Sequence, residues 1–161
     1  TSIEKGVIAH KFMEHADFTD KDVFAQASKM VEGGIMTNEE LSMINLSKLD
    51  ALFKTDVFDF SKSASLFKEK SFIISIPAKE LFGVESQSDV LLQGVIDLLV
   101  VDGNVAKVID YKYSALPIEK LKEKYQRQLD LYAYAVEKVL GVKVTDKIIV
   151  SLLSGQTVKL D

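Results

Sequence analysis

VLLQGVIDLLVVDGNVAKVIDYK, the run from Val90 to Lys112, determines how the rest of the chain can be interpreted. It contains two apolar runs, Val90–Val101 and Val105–Tyr113, separated by Asp102-Gly103-Asn104. Asp-Gly and Gly-Asn between apolar runs are strong signals of a β-hairpin. This part of the sequence therefore predicts two long antiparallel strands joined by a tight turn.

Two aspartates and a lysine interrupt these apolar runs. If the turn is Gly103-Asn104, Asp97 and Asp110 are directly opposed, with Cβ atoms about 5 Å apart. If the turn is Asp102-Gly103, they are diagonal neighbours on the same face, and only a bulge or a three-residue loop would separate them. Lys112 shares the face of Asp110, because side chains two residues apart on a strand point the same way.

Opposed like charges destabilise a sheet, and burial adds to the cost. We therefore expect a positive group between Asp97 and Asp110. Lys112 is one candidate, and Mg²⁺ or Mn²⁺ is the other, because hard oxygen ligands suit these ions. The alternative is that the aspartates decorate a solvated face of the sheet, with Lys112 in a surface salt bridge.

The sequence before the hairpin is predicted to be mostly helical, from apolar residues at helical spacing and from capping signals. Four helices are expected: one over residues 3–13, one capped by Asp20 and ended by Gly33-Gly34, one capped by Thr37 and running to Phe53, and a short one near residues 56–60. From Lys70 the residues alternate between apolar and polar, which predicts a strand. Pro77–Asp89 is then expected to be a loop.

The sequence after the hairpin predicts one long helix and two short strands. Pro117 is typical of a helix start and Gly141 of a helix end, so the helix is expected from about Ile118 to Leu140. The strands are expected at residues 147–153 and 157–160, joined through Gly155.

The composition is that of one globular domain, with 161 residues, 47% of them hydrophobic and 27% charged. The absence of cysteine excludes a disulfide scaffold, a thiolate zinc site, an iron–sulfur cluster and a cysteine nucleophile. A net charge of −4 argues against a basic, free-standing DNA-binding module. No signal peptide or membrane span is visible, so a soluble intracellular protein is expected. The chain begins at Thr1, and we expect it to be a piece of a longer chain.

Four short motifs occur in order along the chain: GVIAH at residues 6–10, GVID at 94–97, DYK at 110–112 and QLDLY at 128–132. Together they resemble the RecB-like branch of the PD-(D/E)XK nuclease superfamily. LLQGVID at residues 91–97, YQRQLDLY at 125–132 and Glu69 before Phe72 are similar to the nuclease domain at the C-terminal end of AddA subunits of bacterial AddAB helicase–nucleases. In one departure, Tyr113-Ser114 stand where that family has Thr-Asp.

The resemblance implies an α/β fold: a restriction-endonuclease-like core with a central mixed sheet flanked by helices and extended by N-terminal helices. The chain would be one nuclease domain, helical over about residues 1–62 and with its catalytic sheet and helix at about 65–161. The implied metal ligands are His10, Asp97, Asp110 and the backbone carbonyl of Tyr111. The implied catalytic residues are Asp97, Asp110, Lys112, Gln128 and Tyr132.

The activity implied by the resemblance is Mg²⁺- or Mn²⁺-dependent hydrolysis of DNA, as an exonuclease on strands unwound by a helicase–nuclease. Its setting would be double-strand break repair by homologous recombination, in the nucleoid region of the bacterial cytoplasm. The implied partners are single-stranded DNA ends, upstream helicase domains and an AddB-like subunit. The chain has no Gly-x-x-x-x-Gly-Lys-Ser/Thr loop, so ATP would act only through a helicase part.

Several alternatives stay open. The chain could be a RecB-like nuclease that works alone, or a non-catalytic DNA-binding or scaffolding module of the same fold. His10 could be an ordinary hydrogen-bonded helix histidine and Tyr132 a core residue. Glu69 is either a supporting residue near the site or a surface charge. The lysines and arginine of residues 118–127 are either a positive surface beside the site or an ordinary solvated helix face.

Overall fold

The computed structural model describes the whole chain, residues 1–161. The helices are α1 Ser2–His15, α2 Val23–Glu32, α3 Asn38–Ser42, α4 Leu46–Phe53, α5 Ala78–Phe82 and α6 Ile118–Leu140, with a 3₁₀ turn at Asp56–Phe58. The strands are β1 Ser65–Pro77, β2 Asp89–Asp102, β3 Val105–Lys112, β4 Lys143–Ser151 and β5 Thr157–Lys159. The N-terminal helices cover one face of the sheet and α6 covers the other.

The five strands form one mixed sheet in the order of the sequence. β1, β2 and β3 are antiparallel, β3 and β4 are parallel across α6, and β5 returns antiparallel to β4. Asp102 pairs with Val105, so Gly103-Asn104 is the turn of the predicted hairpin. The predicted α/β fold with a central mixed sheet and N-terminal helices is confirmed.

Several helix ends follow from local sequence. α6 runs from Ile118 to Leu140 as predicted, and it ends because Gly141 takes a left-handed conformation with φ of 67°. Thr37 caps α3 in a capping box with Glu40, also as predicted.

Other boundaries differ from the sequence prediction. Asp22, and not Asp20, caps α2, because its side chain accepts the backbone N–H of Ala25. The single helix predicted from Thr37 to Phe53 is two helices, since Asn45 caps a new one, α4. The short α5 lies within the predicted loop, β1 begins at Ser65 and β4 begins at Lys143, each earlier than expected.

Two cores lie on the two faces of the sheet. Between the sheet and the N-terminal helices, Phe12, Phe18, Phe53, Phe58 and Phe60 pack in pairs with ring centroids 5.0 to 6.4 Å apart. The second core lies under α6, where leucine and valine side chains of the helix meet those of β2, β3 and β4. None of the helices combines the length and hydrophobicity that a membrane crossing requires.

The alternation of side chains along β2 changes phase near Asp97. Ile96 packs in the core under α6, whereas Leu98, two residues later, packs against the N-terminal helices. Across from Asp97, Glu69 on β1 is the one non-glycine residue with a positive φ, 50°. The β1–β2 pairing passes from Lys68–Leu98 to Lys70–Ile96 without a pair at Glu69 and Asp97. Both strands are therefore irregular at the level of these two carboxylates.

Candidate active site

Asp97 lies where β2 and β3 separate. Regular pairing of the two strands stops at Leu98–Ile109, so Asp97 and Asp110 are not the directly opposed pair that a regular hairpin predicts. Instead the backbone N–H of Tyr111 donates to Oδ2 of Asp97 at 2.7 Å. In a regular ladder, a backbone carbonyl of β2 would accept the N–H of Tyr111. Here the carboxylate of Asp97 accepts it, because the strands are irregular at this level.

Asp110 is the most deeply buried of the acidic side chains, with 4% of its surface exposed. Burial, and after it the charge of Asp97, raises the pKa of Asp110 to about 6. Its Oδ2 lies 3.0 Å from Nζ of Lys112 but has no hydrogen bond of good geometry. A buried carboxylate oxygen without a hydrogen bond is costly, and it indicates a position prepared for a further positive group.

Lys112 is held from three sides. Besides the contact with Asp110, Nζ donates to Oε1 of Gln128 at 3.0 Å and lies 4.0 Å from the centre of the Tyr125 ring. Gln128 and Tyr125 are on α6, which packs over the face of β3 that carries Lys112. The amide oxygen of Gln128 thus has this ammonium group as its hydrogen-bond partner.

His10 approaches the same point from α1. Its Nδ1 is bonded to the carbonyl oxygen of Gly6 at 3.1 Å and its Nε2 to that of Tyr111 at 3.0 Å. Both partners only accept hydrogen bonds, so both ring nitrogens donate and the ring is an imidazolium. Burial lowers the pKa of His10, but the hydrogen bond and the charge of Asp97, whose Oδ2 is 3.6 Å from Nε2, outweigh it and raise this pKa to about 9.

Tyr132 closes the site on the side of α6. Its ring meets Phe72 edge-on at 5.5 Å. A Cβ at Gly94 would lie 3.0 Å from Cε1 of Tyr132 and 3.1 Å from Cζ of Phe72, so a larger residue at 94 would push one ring aside. Burial raises the pKa of Tyr132, and the charges of Asp110 and Asp97 raise it further.

Glu69 lines a cleft of about 820 Å³ together with His10, Tyr113 and exposed apolar residues of α1. Burial raises the pKa of Glu69, and the charge of Asp97 adds to this. Glu69 is therefore close to the site carboxylates, as the supporting-residue interpretation requires, and it has no ion pair with a lysine or arginine.

The residues present fit a divalent cation. The donors that converge are the ring nitrogen of His10, the carboxylates of Asp97 and Asp110, and the carbonyl of Tyr111, which is the mixed nitrogen and oxygen set that such ions accept. The observation that favours a cation is Oδ2 of Asp110, which is buried and has no hydrogen bond of good geometry. No three acidic or histidine side chains are near enough to form a cage alone, so the carbonyl, water or substrate would complete the shell.

The structure thus brings together every residue proposed for the site from the sequence. Two contacts were not foreseen. Tyr125 covers Lys112, although its place three residues before Gln128 on α6 could have suggested it. Gly6 lies against the side chain of Tyr113, whose Cβ would be 3.4 Å from a Cβ added at position 6.

Comparison with known proteins agrees with this geometry. A family model of the PD-(D/E)XK nuclease superfamily matches residues 2–158. Among individual proteins, an ATP-dependent helicase/nuclease subunit of Ruminiclostridium cellulolyticum is 30% identical over 98% of this chain and 13% of its own length.

Two further proteins of the same name give a similar result. One, from Thermoanaerobacter sp. strain X514, is 30% identical over 96% of this chain and 14% of its own length. The other, from Clostridium acetobutylicum, is 25% identical over 98% of this chain and 14% of its own length. The chain spans about one seventh of the length of these relatives.

Proposed function

The chain belongs to the PD-(D/E)XK nuclease superfamily, and on that premise we propose that it hydrolyses phosphodiester bonds of DNA with the help of Mg²⁺ or Mn²⁺. The observation that carries the proposal is the buried carboxylate of Asp110, which lies beside Asp97 and whose Oδ2 is 3.0 Å from Nζ of Lys112 without a hydrogen bond of good geometry. Lys112 and His10 offset part of the negative charge of these carboxylates. A divalent cation would offset the rest, with the carboxylates as its ligands.

His10, Asp97, Asp110 and the carbonyl of Tyr111 would hold the metal. A bound divalent cation lowers the pKa of water and neutralises charge on a phosphate. Nε2 of His10 must lose its proton to act as a ligand, which the rest of the site permits because Nδ1 keeps its bond to the carbonyl of Gly6.

Lys112 supplies a fixed positive charge next to the carboxylates. Gln128 and the ring of Tyr125 hold its ammonium group, so little rearrangement is needed when negative charge develops on a phosphate. We assign Lys112 to orienting the attacking water or stabilising that charge, Gln128 to positioning Lys112, and Tyr132 to enclosing the site.

The similarity to helicase/nuclease proteins extends the proposal to the complex and the cellular process in which the chain acts. We propose that the chain is the nuclease part of a helicase–nuclease and degrades single strands as an exonuclease while helicase domains unwind DNA. An AddB-like subunit would be its partner, and repair of double-strand breaks by homologous recombination in the bacterial cytoplasm its role. A RecB-like nuclease that works alone remains the second candidate.

The proposal is tested by incubating labelled single-stranded DNA with the chain and Mg²⁺ or Mn²⁺. We expect cleavage that EDTA abolishes and that Asp110→Asn and Lys112→Ala reduce by at least about 100-fold. Lys107→Ala is the matched control, because Lys107 lies on the same strand but pairs with Asp146 away from the site. Equal activity of Asp110→Asn and wild type would refute the assigned site.

Calorimetric titration of Mn²⁺ separates metal binding from cleavage. We expect binding by the wild type and its loss in Asp110→Ala. Binding that persists in Asp110→Ala would place the metal elsewhere. Neither binding nor cleavage would favour a non-catalytic module of this fold.

A further inference from the structure

The cations of α6 are of two kinds. Lys120, Lys122 and Lys138 pair with Glu123, Asp161 and Glu80 at 3.4, 3.3 and 2.9 Å. Lys124 and Arg127, both exposed, have no carboxylate partner. Two of the cations on this helix therefore remain available to a ligand.

Both free cations lie against aromatic rings. The guanidinium carbon of Arg127 is 5.9 Å from the centre of the Phe82 ring on α5, and Phe82 is 56% exposed. Nζ of Lys124 is 5.3 Å from the centre of the Tyr125 ring. The same ring covers Lys112, so Lys124 is separated from the candidate active site by one side chain.

The neighbouring carboxylates do not cancel these charges. Glu123 is paired with Lys120, Glu80 with Lys138, and Glu85 lies 4.0 Å from Lys79. Asp130, three residues after Arg127, is paired with Lys147. Glu119 is unpaired, and it is five residues before Lys124 and eight before Arg127, about 8 and 12 Å along the helix axis.

Free cations next to exposed aromatic rings are the groups that bind single-stranded nucleic acid. Cations contact the phosphates, and bases stack on aromatic rings or guanidinium planes whatever the sequence. Phe82 is exposed beneath Arg127, and the ring of Tyr125 connects Lys124 to Lys112 of the candidate active site. These two features favour a DNA strand over an acidic protein as the ligand.

We propose that Phe82, Lys124 and Arg127 form a binding surface for single-stranded DNA beside the candidate active site. We call it the α6 platform. Lys124 and Arg127 contact phosphates of the strand that flank the cleaved one, and a base stacks on Phe82. The proposal rests on the proposed function for the identity of the ligand, and it adds residues that hold the strand outside the reacting centre.

The platform is tested by fluorescence anisotropy with a labelled oligodeoxythymidylate of about 15 nucleotides in EDTA, where no cleavage occurs, over a series of salt concentrations. We expect Lys124→Ala and Arg127→Ala each to weaken binding and to reduce the slope of log affinity against log salt by about 0.7, the value for one lost phosphate contact. Phe82→Ala should weaken binding roughly 5- to 100-fold and leave the slope unchanged.

Two controls separate the platform from general charge effects. Lys29→Ala removes an exposed lysine without a carboxylate partner on α2. Lys107→Ala removes a paired lysine on β3, and its partner Asp146 keeps a second partner, Lys159. We expect each control to weaken binding less than about 2-fold. The platform is refuted if Lys124→Ala and Arg127→Ala behave like Lys29→Ala, or if the wild type does not bind the oligonucleotide.

A small substrate distinguishes failure of the platform from failure of the proposed function. Bis(p-nitrophenyl) phosphate has a single phosphate and no flanking nucleotides, so we expect the platform variants to hydrolyse it at the wild-type rate while Asp110→Asn does not. If Asp110→Asn remains active, the assigned site is wrong, but the platform is still judged by anisotropy alone. If the platform variants lose activity on this small diester, the residues act at the reacting centre and the platform is wrong.

Discussion

Asp97 has two roles that a single substitution can separate. Its Oδ2 lies 3.6 Å from Nε2 of His10, and it also accepts the backbone N–H of Tyr111. Asp97 therefore belongs to the candidate active site and also holds β2 to β3. Replacement of Asp97 affects both the site and the contact between the strands, unless the new side chain also accepts the N–H of Tyr111.

We therefore expect Asp97→Asn and Asp97→Ala to lose cleavage equally but to differ in stability. Alanine leaves the N–H of Tyr111 without an acceptor, at a cost of about 1–3 kcal/mol in the free energy of unfolding. Asparagine keeps an oxygen that can accept it. Urea denaturation in EDTA measures the difference, with Asp102→Asn at the hairpin turn as the control. If Asp97→Ala is as stable as Asp97→Asn, the hydrogen bond to Tyr111 does not support the fold.

The imidazolium of His10 predicts how the metal-free protein responds to pH. Its pKa is about 9 in the folded chain and 6.5 in the unfolded chain, so the stabilisation is complete below pH 6.5 and is lost as pH rises through 9. Because the ring is partly exposed, we expect a loss of only about 1–2 kcal/mol. Asp110 has a pKa raised to about 6 and so changes stability at lower pH, between about 4 and 6.

The measurement is the free energy of unfolding in EDTA at pH 6.5 and 9.5, for the wild type and His10→Gln. The variant should lose much of the pH difference. An unchanged difference would show that His10 is not the group responsible.

At the scale of the elements, the irregularity that β1 and β2 share at Glu69 and Asp97 could not be predicted from the sequence. The bounds of α6 follow from Pro117 and Gly141, which act through their own backbone preferences. The left-handed conformation of Glu69 has no such signal, because the sheet and not the residue imposes it. The motif residues were predicted to share a site, but the separation of β2 and β3 at Asp97 was not, since regular pairing was assumed there.

The strain at Glu69 can be measured directly. A non-glycine residue in the left-handed region costs about 1–2 kcal/mol, so Glu69→Gly should be about 1 kcal/mol more stable than Glu69→Ala. Both lack the carboxylate, and we expect the same reduction of cleavage in both. Thermal denaturation and the nuclease assay test the two statements. If Glu69→Ala is the more stable variant, the backbone of residue 69 is not strained.

The whole molecule is held together across the boundary between its helical part and its sheet. The core between them contains Phe53 of α4 beside Leu98 and Val100 of β2 and Ile109 of β3. α1 brings His10 to the site from this same core. We therefore expect one cooperative unit, and not a helical module attached to an independent sheet.

Phe53→Ala tests this cooperativity. Loss of a fully buried phenylalanine should lower the free energy of unfolding by about 3–5 kcal/mol. In hydrogen exchange, the amides of β2 and β3 should lose as much protection as those of α4. Wild-type protection in the strands would mean that the sheet is stable without the N-terminal helices.

The side chains that surround Lys112 also determine how the protein can be observed. The chain has five tyrosines and no tryptophan, and Tyr111, Tyr113, Tyr125 and Tyr132 all border the site or its cleft. Near-ultraviolet absorption and emission therefore report mainly on the site itself. An ion or a DNA strand that enters can be followed through this intrinsic signal, without a dye, and a tryptophan introduced on the α6 platform would be seen against no background.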